Sequence, residues 1–134
     1  MSISENNFPY ELVKAFPEFM VTYLQHAEEA ANDPEDPFII KYDLMVDFRK
    51  FAIKIYAQTR DENPLQSEFL ALFNRIVSFV ELLLSSSEKY LVDMASAEFL
   101  YNLKSQNPRF HEMSKAFGPK AIERLRLMYP NDNF

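Results

Sequence analysis

Within each stretch bounded by its eight prolines, the chain returns to an apolar residue every three or four positions. That period matches one face of an α-helix, and no stretch alternates over six residues as a half-buried strand would. Asn6 and Asn7 stand where they can cap a short first helix beginning near Pro9, with Tyr10, Val13 and Phe16 as its inner side and Pro17 as its interruption. Pro17 then suits the first turn of a second helix reaching about Ala31. In it Phe16, Phe19, Tyr23, Ala27 and Ala30 form one stripe, while Glu18, Thr22, Gln25 and Glu29 form another. The run from Asn32 to Pro37 contains two prolines and three acids and reads as an acidic loop. From Phe38 to about Arg60 the polar residues Asp43, Asp47, Lys50, Lys54 and Gln58 hold one narrow stripe of an otherwise apolar helix, which places that helix near the centre.

Asp61-Glu62-Asn63-Pro64 breaks this helix, and Leu65, Phe69, Leu72, Phe73, Ile76, Phe79, Val80 and Leu83 give the next segment a strong helical stripe. Ser85 through Glu88 has the pattern of a capping box, with Ser85 as cap and Glu88 reaching back. It would open a helix through Leu91, Met94, Ala95, Phe99 and Leu103 that Asn107-Pro108 stops. A short helix from about Pro108 is expected to end at Gly118 in a left-handed C-cap, and Pro119 to start a last helix through Ile122, Leu125 and Met128. The predicted architecture is all-α: one domain over residues 1–134, a bundle of five to seven helices. With 134 residues and 48% hydrophobic composition there is enough apolar material for one core.

The same composition narrows function. The absence of cysteine removes disulfides, thiolate nucleophiles and cysteine-ligated metals. A single glycine cannot build a phosphate-cradling loop. A net charge of −6 disfavours capture of nucleic acid. The N-terminal residues lack the cationic and apolar regions of a signal peptide, and no apolar run is long enough to span a membrane, so a cytoplasmic protein without membrane or nucleic-acid partners is expected. His26 and His111 are far apart and neither belongs to a Glu-x-x-His or H-E-x-x-H pattern, so no metal and no cofactor is expected. Glu81 and Glu98 each lie among apolar neighbours. They would make an acid–base pair only if they faced one cleft, and buried structural roles are the alternative.

The charge is polarised along the chain. Residues 1–40 carry −7, residues 41–104 carry −1 and residues 105–134 carry +2. Glu28, Glu29, Asp33, Glu35 and Asp36 fall within nine residues with no basic neighbour. Such a run is either a solvated helix end or a patch that steers a basic partner. The basic counterpart, Arg109, Lys115, Lys120, Arg124 and Arg126, is interrupted by Glu112 and Glu123 and reads as structural. Asp33-Pro34-Glu35-Asp36 lacks the glycine and the alternating oxygen ligands of a calcium loop.

Phe16-Pro17-Glu18-Phe19 with Tyr23 and His26, then Ile76 to Leu84 with Glu81, and Leu91 to Leu103 ending Phe99-Leu100-Tyr101-Asn102-Leu103, resemble a family of small uncharacterised all-helical bacterial proteins. Tyr101 stands where that family favours an acid. The resemblance implies association with toxin and immunity gene clusters in some members and no assigned enzyme activity. Together with the polarised charge it leads to the expectation of a non-enzymatic, immunity or antitoxin-like protein. Glu28, Glu29, Asp33, Glu35 and Asp36 would pair with a basic toxin domain, and Tyr23 and Tyr42 would supply apolar anchors. A helical adaptor or homo-oligomeric scaffold, and a small-molecule protein with a Glu81/Glu98 pocket, are the competing expectations.

Overall fold

The computed structural model describes residues 3–32, 37–105 and 107–134, with side chains left out at 26–27, 29–32 and 37–40. Helix α1 spans Phe8–Ala15, and a 3-10 turn at Pro17–Phe19 leads into α2, Met20–Asn32. Pro37–Ala57 forms α3 and Gln66–Leu84 forms α4. A continuous rod follows, made of α5 (Lys89–Met94), a π-helical stretch (Ala95–Tyr101) and α6 (Asn102–Ser105). Phe110–Ser114 is α7 and Pro119–Met128 is α8. With the rod counted once, the described residues form seven helices and no strand, as the apolar period predicts.

Helix α3 takes the central place expected of it. Leu44, Met45, Phe48, Ala52, Ile55 and Tyr56 are buried, and of the predicted polar stripe Asp43, Lys50, Lys54 and Gln58 are exposed while Asp47 is half-buried. Phe48 is the hub: its ring lies 5.1 Å from Phe16, 5.7 Å from Phe19, 5.9 Å from Phe79 and 5.8 Å from Phe99, so one side chain ties α1, the 3-10 turn, α4 and the π-helical stretch together. The tilted and edge-on geometries of these pairs add to the area the rings bury. Helix α4 follows its predicted stripe, with Leu72, Phe73, Ile76, Phe79, Val80 and Leu83 all buried.

Four local expectations are corrected. In α1 the inner side is Phe8, Leu12 and Phe16, spaced by four, while Tyr10 is exposed; the set with two phenylalanines and a leucine buries more apolar area than the set containing Tyr10 and Val13. Asn7 sits at the N-cap position, but its side chain turns backward. Its Oδ1 accepts from the Ser4 N–H at 2.6 Å, and the Ser4 hydroxyl accepts from the Asn7 N–H at 3.2 Å, closing the turn before the helix. The capping box does not form. Ser85 instead ends α4, the Ser86 hydroxyl accepts from the Glu88 N–H at 3.0 Å, and the Glu88 carboxylate accepts from the Glu5 N–H at 2.8 Å, 83 positions away. Gly118 is not a left-handed C-cap: at φ −77° and ψ 173° it is extended and serves as the N-cap residue of α8.

Within the rod, the π-helical stretch departs from the regular helix that the apolar spacing predicts. Met94 and Phe99, and Ala95 and Leu100, stand five apart, the spacing of a π-helical turn, and all four are buried.

Candidate partner-binding surface

The 3-10 turn anchors the start of α2 on the core through Phe19, whose ring meets Phe48 at 5.7 Å and Phe51 at 5.4 Å, and the half-buried Tyr23 continues that side on α2 itself. Its opposite side carries three exposed apolar residues: Met20 at 40% exposure, Val21 at 71% and Leu24 at 57%. Met20 and Leu24 are one turn apart, Val21 stands beside them, and the exposed Glu28 continues the same row one turn further on. The ridge from Val21 to Glu28 is about 10 Å long at helical rise. Sequence reasoning missed it by assigning α2 a single apolar stripe. The missed signal is that Met20, Val21 and Leu24 lie outside both stripes read from the sequence.

The expected acidic residues fall at the end of this row. Glu28 is exposed, and Glu29 follows it in α2. Asp33, Glu35 and Asp36 lie outside the described residues. Helix α2 contains no lysine or arginine, so its two glutamates sit toward the negative end of the helix dipole without a compensating cation on the same helix. Such a placement costs on the order of 0.3–1 kcal/mol per charge. Tyr23 and Tyr42, the expected apolar anchors, are half-buried and packed on the core, and Tyr42 meets Tyr90 edge-on at 5.9 Å. The apolar material free to meet a partner on α2 is Met20, Val21 and Leu24 instead. On the other flank of α2, a cleft toward α3 is lined by Thr22, Gln25, Asp47, Lys50 and Lys54.

The structure gives Glu81 a side-chain role and Glu98 a backbone one. The Glu81 carboxylate accepts the N–H groups of Lys120 at 2.9 Å and Ala121 at 2.8 Å, capping α8 from α4. Glu98 lies in the π-helical stretch, where its backbone carbonyl accepts from Arg49 Nη1 at 2.5 Å. Arg49 is 3% exposed, and burial pulls its guanidinium below the ordinary arginine range although the neighbouring Glu98 and Asp47 oppose this. The enclosed cavity between α4, the rod and α8 is about 10 Å³, lined by Phe73, Ile76, Val80, Phe99, Leu100 and Phe117 among others, and neither glutamate lines it. It is apolar and no larger than one water.

Several other ionisable groups fasten elements together. Arg109 forms a fork with Glu112 at 3.1 and 2.8 Å and lies over the Tyr56 ring at 4.6 Å, joining α7 to α3. The guanidinium holds the Glu112 carboxyl below the usual range. Arg75 donates to the Ala15 carbonyl and pairs with Glu18, tying α4 to the end of α1. His111 stacks on Phe134 at 5.6 Å. Among the described residues no group of three or more histidine, aspartate or glutamate side chains is placed to hold a metal ion, and no helix is long and apolar enough to cross a membrane.

Compared with protein-family models, curated proteins and solved structures, the chain shows no significant match to any.

Proposed function

We propose that this protein is a stoichiometric binding protein of the immunity or antitoxin type, which captures a basic toxin domain and occupies the cations that domain needs for its own target. The observation that carries the reading is the acidic run of Glu28, Glu29, Asp33, Glu35 and Asp36, which has no lysine or arginine within it and begins at the exposed Glu28 of α2. Like charges in that spacing destabilise the chain that bears them, and a cationic partner relieves the repulsion while gaining association rate. The resemblance to helical proteins of toxin and immunity gene clusters supports the same partner class.

The test is growth. The reading frame encoded directly upstream, expressed alone in a bacterial host, should arrest growth, and co-expression of this protein should restore it. Reversing the run to lysine (E28K, E29K, D33K, E35K, D36K) should abolish the rescue. Rescue unchanged by the reversal removes the acidic run from the mechanism, and an upstream product without toxicity removes the immunity reading.

A further inference from the structure

We propose that the ridge of Met20, Val21 and Leu24 is a helix-docking surface whose occupant is a cationic amphipathic helix of the partner, its apolar face on the ridge and its lysines or arginines toward Glu28. This rests on the reading above and adds the form the partner takes. Three adjacent apolar side chains at 40%, 71% and 57% exposure lie on one side of one helix. That is the pattern by which a helix meets another helix through i, i+3 and i+4 anchors. Isolated exposed apolar residues need no explanation, but a row of them running into the exposed Glu28 has a defined complement.

The surrounding charges fix the sign and the side. Nothing cationic lies on α2 itself, so the row presents apolar and then acidic chemistry in one direction. Lys50 and Lys54 border the Thr22–Gln25 flank, which repels a cationic helix there and confines it to the edge formed by Met20, Leu24 and Glu28. Asp47 on the same flank lies 4.0 Å from Lys50, which offsets its attraction. A second copy of this chain fits less well, because it brings a net charge of −6 against −6.

The probe is a synthetic 18-residue peptide of leucine and lysine with the leucines at helical spacing. Its control has the same composition scrambled, so that the leucines no longer share a face. Titration of the full-length protein by fluorescence anisotropy should show the patterned peptide binding at least tenfold more tightly than the scrambled one. The V21S/L24S double variant should lose that preference. E28K/E29K should weaken both peptides, and K50E/K54E should strengthen the patterned one. Leu127, 71% exposed on α8, provides the control L127S, which should bind as the parent does. Circular dichroism establishes that each variant is folded.

Equal affinity for the two peptides, or a V21S/L24S variant that binds as the parent does while E28K/E29K fails, overturns the ridge and leaves the acidic reading standing. Binding indifferent to E28K/E29K overturns the acidic reading as well. A dimer in sedimentation that V21S/L24S dissociates assigns the ridge to a second copy and overturns the proposal.

Discussion

Gly118 is the one position in this chain where the absence of a side chain is demanded by a neighbour. A Cβ there would lie 2.4 Å from Glu81 Cδ, 2.5 Å from Cγ and 2.6 Å from Oε1. The backbone angles are ordinary, so the constraint is space and not conformation. Glu81 can swing away, but only by releasing the Lys120 and Ala121 N–H groups it caps. The cost of Gly118→Ala is therefore the cost of losing the cap, about 1–2 kcal/mol. Urea denaturation should give a similar loss for Glu81→Ala. The double variant should lose little more than either single one, because the second change removes an interaction already gone. Additive losses would show that Gly118 and Glu81 act separately. The sequence singled out Gly118 for a left-handed C-cap it does not form and Glu81 for a cleft or a buried structural role, because a pairing between residues 37 positions apart has no local signal.

Among the elements, the rod from Lys89 to Ser105 departs most from expectation. Its π-helical turn is bridged by Arg49, a buried cation that the polar stripe read on α3 did not include. Arg49→Met keeps the bulk of the side chain but strips the Glu98 carbonyl of its donor and removes a charge-assisted bond. A loss of about 1.5–3 kcal/mol is expected by thermal or urea unfolding. Stability equal to the parent would mean that the Arg49 bond adds nothing net to the fold. Helix α2 makes the opposite prediction. Val21 and Leu24 are exposed, so V21S/L24S should unfold within about 0.5 kcal/mol of the parent while altering binding. A large stability loss there would place both residues in the core and remove them from the surface.

For the molecule as a whole, alkaline pH tests the packing that local sequence cannot show. Burial, joined by the neighbouring Tyr42, raises the Tyr90 hydroxyl to about 12 from its ordinary 10.0. Burial likewise raises Tyr56 and Tyr129 above their ordinary value. A raised tyrosine keeps its proton in the folded state while the unfolded chain loses its own, so its stabilising contribution is full below pH 10.0 and declines through the folded value. Stability should fall between pH 10.0 and about 12, and Tyr90→Phe should flatten that fall. An identical pH profile in Tyr90→Phe would show that the Tyr90 hydroxyl is as solvated as in the unfolded chain.

What the sequence settled by itself is what depends on near neighbours: helices from the three-four apolar period, breaks at Asp61-Glu62-Asn63-Pro64 and Asn107-Pro108, the central place of the helix expected from Phe38 to about Arg60, which ends at Ala57, and the uneven distribution of charge. The tertiary structure decided what depends on residues far apart in the chain. Glu88 left its local cap for the Glu5 N–H, Glu81 left any pairing with Glu98 for the start of α8, and α1 turned Phe8 inward and Tyr10 outward. Met20, Val21 and Leu24 became a surface because Phe19, in the turn before α2, and Tyr23 set which side of that helix meets the core. Local rules state which partners a side chain accepts. Close packing around Phe48 fixes which of those partners is within reach.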